Sequence, residues 1–355
     1  MIEFNGLYDE NTIKRPDKQY LKQIKKLMST NLQAILSPVE QDMKTLDEVI
    51  RTRLQSDVVL INQISHYIIG AGGKRLRPAL LMMTAQALGG TQVAHRHEMA
   101  AVVEFIHTAT LLHDDVVDES SLRRGRATAN AAFGNAASVL VGDFLYSRAF
   151  QMMVAPGQMR IMEILANATN TIAEGEVLQL LNMHDPDVNE ERYVQVINFK
   201  TAKLFEAAAS LGALLAGASE TQFAAAERYG RHIGTAFQIV DDLLDYTADA
   251  SQMGKNAGDD LREGKPTLPL IYLLQNGTAE QKALIRSAIE QADELPDDVF
   301  EKVYRAIVES QALKYTQSVA EKEAHLAKEA LKAFPHNAVT QSLSALCDYS
   351  LVRTH

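Results

Sequence analysis

The chain has 355 residues, 46% hydrophobic and 23% charged, a balance that excludes a disordered or membrane-embedded protein; by length alone it allows about two domains. Its 35 lysines and arginines against 45 acidic residues give a formal charge of −10, so nothing supplies the basic excess that displaces counterions, and no nucleic-acid partner is expected. A single cysteine, Cys347, excludes an intrachain disulfide and any Cys-rich zinc or iron–sulfur site.

From the N-terminus, residues 1–27 lack an apolar h-region, and their basic part, 14–26, lacks the Arg/Ser bias of a transit peptide. They are expected to form a mobile extension, with residues 28–355 as one domain and a cytoplasmic location. No run reaches the roughly 20 apolar residues of a spanning helix. The strongest uncharged stretch, 207–219, has thirteen. Proline is absent from 79–155 and from 187–265, both rich in Ala, Leu, Met, Gln and Glu, with apolar residues at three- and four-residue intervals. Nearly the whole chain therefore reads as helix, in one large all-α bundle. Pro78 marks a first helical turn, Gly89-Gly90 and Asn276-Gly277 mark turns, and Ser219/Gln222 and Thr278/Gln281 have capping-box spacing. A long helix is predicted over 189–216. Residues 251–266, with Gly254, Gly258 and Gly264 among Lys255, Asp259, Asp260 and Lys265, are too polar for a buried helix and are expected to form a mobile loop over the active site.

Four groups of residues carry chemistry. Gly72-Gly73-Lys74-Arg75-Leu76-Arg77-Pro78 places cations in a glycine turn before a helix, where backbone N–H groups and side chains can both meet an anion. Between His107 and Asp118, helical geometry sets His107, Leu111, Asp114 and Asp118 on one stripe with Asp115 on its flank. Carboxylates one turn apart repel, so they call for a cation or for water. Arg123 and Arg124 follow, and Arg presents a planar fork to phosphate. Then, 127 residues after the first motif, Gln238, Asp241, Asp242 and Asp245 repeat the acidic pattern. Two such helices facing one another would gather six carboxylates, an oxygen-only donor set suited to Mg²⁺ shared with a phosphate. A single DDxxD reads more readily as a solvated acidic face; the second copy reverses that balance. No GxxxxGK[ST] is present, which excludes an ATP-type P-loop. On their own, His107 would pass for a satisfied helix histidine and Lys200 for an exposed lysine.

Taken together, the two DDxxD motifs, GGKRLRP, RRG and the GKxxGDDLxxGKPTLP segment resemble the trans-polyprenyl diphosphate synthases, densely over 57–270. The stretches LLHDDVVDES, NAAFGNAASVLVGDF and IAEGEVLQL place the resemblance in the branch that supplies quinone side chains, with an octaprenyl product implied. Ala127 departs from the proline common after RRG-x. The resemblance implies an all-α fold with a central cavity, successive head-to-tail addition of isopentenyl diphosphate to an allylic diphosphate such as farnesyl diphosphate, two or three Mg²⁺ ions, and a homodimer without a transmembrane segment that meets a membrane transiently to release product. It implies that Lys74, Arg77, His107 and Arg124 hold isopentenyl diphosphate, and that Arg123, Lys200, Thr201, Gln238 and Lys265 hold the allylic diphosphate. Asp114, Asp118 and Asp241 would ligate metal, with Asp115, Asp242 and Asp245 in support. Small residues at Ala109 and Thr110 would leave a tunnel open to a long product, with a floor expected among residues 144–153. Two rivals, a class I terpene cyclase and a non-catalytic subunit of a two-chain synthase, fit less well, since both acidic motifs are intact.

Overall fold

The computed structural model describes residues 32–70, 72–123, 125–247 and 258–352. The expected extension at 1–27, Arg124 and the first half of the proposed loop, 251–257, lie outside the described residues. The described chain is almost wholly helical. In order it forms α1 (Glu40–Arg53), α2 (Val59–Gly70), α3 (Leu76–Gly89), α4 (Arg96–Val117), α5 (Ala129–Phe133), α6 (Asn135–Val154), α7 (Met159–Asn182), α8 (Glu190–Ile197) and α9 (Lys203–Leu215). There follow α10 (Glu220–Thr247), α11 (Asp259–Arg262), α12 (Leu268–Asn276), α13 (Ala279–Glu290), α14 (Asp297–Glu309), α15 (Ala312–Ala330) and α16 (Ala338–Val352). Among the described residues no helix is long and apolar enough to cross a membrane.

The chain's apolar periodicity sorts these helices into an inner and an outer set. Along α3 and α9 nearly every side chain is buried, so both run through the interior, with α4 and α10 beside them. One large core joins these four helices to α6 and α7, and a smaller one holds α12 to α15 together around Leu270, Ile285 and Val303. Both predicted capping boxes form: Ser219 Oγ accepts from Gln222 N at 3.3 Å, and Thr278 Oγ1 from Gln281 N at 3.2 Å. Pro78 sits in the first turn of α3, and Gly90 ends it in left-handed backbone at φ +81°.

Three departures from the predicted elements bear on the site. The helix predicted over 189–216 is interrupted by a π-turn at Asn198–Ala202, between α8 and α9. The RRG stretch is not helical: Leu122–Arg123 (β1) pairs antiparallel with Arg126–Ala127 (β2) around Gly125. And residues 258–266 are not a loose loop. They contain α11 and are tied down at both ends, as described below.

Candidate active site

Helix α4 brings one acidic patch to the site and α10 the other, and both line a single cavity of about 970 Å³. The predicted stripes are the ones that face it: His107, Leu111, Asp114 and Asp118 from α4 and the residue after it, and Gln238, Asp241 and Asp245 from α10. Asp118 is the C-cap of α4 rather than part of the helix. Burial divides the six carboxylates into two sets. Asp114, Asp118 and Asp241 are half-buried at the cavity wall, whereas Asp115, Asp242 and Asp245 are buried at 0%, 4% and 4% exposure.

Each buried carboxyl meets named donors, as a desolvated polar group must, although Asp115 does so through Oδ1 alone and its Oδ2 has no hydrogen-bond partner among the described residues. Asp115 Oδ1 accepts from Arg123 Nη2 at 2.7 Å and Nε at 2.9 Å, which fastens the β1–β2 hairpin under α4. Tyr67 OH holds the other strand, donating to the Ala127 carbonyl at 2.7 Å. Asp242 accepts from Tyr193 OH at 2.6 Å and Gln238 Nε2 at 2.8 Å, while Gln238 Oε1 accepts from Thr201 at 3.0 Å. Asp245 Oδ2 accepts from the Asp260 N–H at 3.3 Å.

Two lysines stand between the patches and neighbouring acids. Lys200 Nζ lies 2.5 Å from Glu176 and 3.6 Å from Asp114; Lys265 Nζ lies 3.2 Å from Asp118 and also contacts Glu263. The π-turn sets Lys200 in place, because its widened backbone packs against Gly175 of α7, where a Cβ would come within 2.6 Å of the Lys200 nitrogen. From the glycine turn, Arg77 Nη1 donates to His107 Nε2 at 3.1 Å and its guanidinium stacks 4.4 Å over Phe205. Lys74 lies 5.5 Å from the Tyr349 ring centre. Arg75, left-handed at φ 46°, is instead bound to Asp47.

The product-length expectation divides. Thr110 lines the cavity, but Ala109 is fully buried in the main core. None of residues 144–153 is part of the lining: Leu145, Ala149, Met152 and Met153 are core, and Phe150 is exposed. Sequence reasoning gave no role to Glu176 or Tyr193, and placed Asp260 only in the segment over the site; all three line the cavity. Glu176 stands beside Gly175 in a stretch rich enough in motif character to have been suspected; Tyr193 had no local signal.

The donor set fits hard divalent ions, being all oxygen. Among the described residues no three acidic, His or Cys side chains are grouped closely enough to hold an ion alone. The electrostatics agree. Burial, with Asp260 nearby, pushes the Asp242 carboxyl up to about 8 against the pull of Tyr193 and Gln238, and burial raises Glu176 to about 7 despite Lys200. For Lys265 burial works downward, but Asp118, Glu263 and Asp260 outweigh it and hold the ammonium charged.

A pH prediction follows from the first two. Both carboxyls bind their proton more tightly in the folded chain than in the unfolded one. The stability they contribute is present at low pH and is lost as pH rises through about 7 to 8. The thermal midpoint of the metal-free protein should therefore fall from about pH 5 to about pH 9, and added divalent ion with inorganic diphosphate should flatten that slope. Scanning fluorimetry across buffers of equal ionic strength checks it.

Comparison with known proteins places these features in a group. The family model described as Polyprenyl synthetase matches residues 58–307. The chain is 52% identical over 323 residues to octaprenyl diphosphate synthase of Escherichia coli (strain K12), covering 91% of this chain and 99% of that one. It is 46% identical over 321 residues to a geranyl-diphosphate-specific all-trans-nonaprenyl-diphosphate synthase of Rhodobacter capsulatus, over 90% and 98% of the two chains. In structure it is similar to a polyprenyl synthase from Caulobacter crescentus CB15 complexed with calcium and isoprenyl diphosphate. The TM-score is 0.87 and the identity 44%, over 91% of this chain and 98% of that one.

Proposed function

The chain belongs to the polyprenyl synthetase family and is a long-chain trans-prenyltransferase, and from that premise we propose that it extends an allylic diphosphate such as farnesyl diphosphate with isopentenyl diphosphate to an octaprenyl product. One observation carries the reading: two acidic patches remote in sequence line one cavity together with the cations that diphosphates need. The family depends on divalent metal, and we take the ion to be Mg²⁺, two or three per site, held by Asp114, Asp118 and Asp241. When bound, such ions neutralise charge on the departing diphosphate.

The chain's own residues do the rest. Lys200, Arg123 and Lys265, with Thr201 and Gln238, receive the allylic diphosphate and stabilise the negative charge that grows as its C–O bond breaks. Lys74, Arg77 and His107, with Arg124, orient isopentenyl diphosphate so that its double bond meets the allylic cation before water does. Asp115, Asp242 and Asp245 act as supports, fixing Arg123, Gln238 and the start of α11. Product length is set where the chain grows past Thr110. Homodimerisation is supported by apolar side chains exposed on α6 and α7, including Leu140, Val154, Met159, Val177, Leu180 and Leu181.

The test is direct: incubate the protein with farnesyl diphosphate, labelled isopentenyl diphosphate and Mg²⁺, and size the products. A ladder ending at eight isoprene units is expected; no chain growth overturns the reading. In the same assay Thr110→Phe should end the ladder several units earlier, because the ring enters the cavity. Ala109→Phe places its ring in closed core, so any change in product should come with a loss of about 1–3 kcal/mol of stability.

A further inference from the structure

His184 follows α7 on a turn and is not among the residues lining the cavity. Its backbone is left-handed at φ 60°, which is costly for a residue with a Cβ. What it touches accounts for that conformation. The His184 N–H donates to the Gly264 carbonyl at 2.8 Å. Its ring Nδ1 lies 3.3 Å from the Ile289 carbonyl, so that nitrogen carries the hydrogen and donates, and Nε2 lies 3.6 Å from Asp293. The ring is also seated flat against Gly264, itself at φ +69°: a Cβ there would stand 2.6 Å from ring Cε1 and Nδ1.

Gly264 immediately precedes Lys265. The Lys265 N–H donates to the Asp260 carbonyl at 2.8 Å, and its ammonium reaches Asp118. The other end of this segment has its own anchor, since Gly258 packs on the Phe300 ring while Arg262 donates to Asp297 at 2.9 Å and stacks 4.8 Å over Phe300. Of the two anchors, the His184 one acts on the peptide that carries Lys265.

We propose that His184 is a positioning residue that, through Gly264, fixes the Lys265 ammonium where the allylic diphosphate binds. This rests on the reading of Lys265 as an allylic-diphosphate ligand, and the experiment separates the two claims. His184→Gly removes the ring while tolerating the left-handed backbone. His184→Asn also tolerates it and offers a side-chain N–H near the position of Nδ1. Kinetics with farnesyl and isopentenyl diphosphates would be measured for both, for Lys265→Ala and for the His184→Gly/Lys265→Ala double variant, together with thermal midpoints.

His184→Gly should raise the KM for the allylic substrate about tenfold, since small misplacements of binding groups carry such penalties, and leave that for isopentenyl diphosphate within about twofold. His184→Asn should stay within about threefold of the parent on both. In the Lys265→Ala background, His184→Gly should add nothing further, because the group it positions is gone. An equal effect in both backgrounds, or a fall in kcat with the allylic KM unmoved, overturns the proposal. Should Lys265→Ala itself leave the allylic KM unchanged, the reading of Lys265 fails, and the proposal with it; should Lys265→Ala raise that KM while His184→Gly does not, only the His184 proposal fails.

Discussion

Replacing Asp114 or Asp241 with alanine should cut turnover by about 10³-fold while moving the thermal midpoint by only a few degrees, because each carboxylate serves charge that develops in the reaction rather than the packing of its helix. Both are half-buried at the cavity wall and lie outside the core. Asp114 approaches Lys200 at 3.6 Å, and Lys200 keeps a nearer partner in Glu176. Loss of Asp114 also relieves repulsion with Glu176, one of the causes that raises that group. Steady-state turnover at saturating divalent ion, alongside a thermal melt, checks both halves. Activity within tenfold of the parent would remove the acidic patches from the chemistry.

Asp115→Ala should lose stability together with activity. The side chain is wholly buried and holds Arg123 through two short contacts. Removing one member of a buried pair strands the other, at a cost of about 3 kcal/mol here, the low end of the usual range because Arg123 keeps some exposure. In a chain of this size that lowers the thermal midpoint by several degrees. Activity should fall as well, since the β1–β2 hairpin loses the tie that aims Arg123 at the cavity. Adjacent residues in one motif are thus expected to differ in stability, Asp114→Ala losing turnover with little change in the melt and Asp115→Ala losing both, and a melt unchanged in Asp115→Ala would contradict this division.

Much of this was legible in the sequence, for reasons that can be located. Helical periodicity is local, so the stripes containing Asp114 and Asp118, and Gln238, Asp241 and Asp245, could be drawn before any tertiary information. Capping at Ser219 and Thr278 is likewise written in residues three apart. The convergence of the two stripes required a repeated motif to suspect and a fold to see. What stayed hidden depends on long-range partners. Tyr193 reaches Asp242 from a different helix, and nothing near Tyr193 in the chain announces it. That Thr110 and not Ala109 lines the cavity turns on a rotation of one residue about α4, finer than a resemblance resolves. The loop expected at 251–266 rests on polarity and glycine content. Within its described part the missing side chains of Gly258 and Gly264 make room for the Phe300 and His184 rings, and residues 258–266 are fastened at both ends.

The π-turn between α8 and α9 carries one residue more than an ordinary turn would. Its side chains Asn198 and Thr201 meet Thr235 and Gln238, three apart on α10, as Asn198 and Thr201 are on theirs. Shedding a single codon in 198–202 would let the two helices fuse into one continuous rod, with α8 and α9 still in register because the extra residue sits within one turn. Lys200 would lose the widened backbone that seats it on Gly175. A one-residue indel here is therefore expected to be purged, as are substitutions at Lys200 and Thr201, proposed above as ligands of the allylic diphosphate.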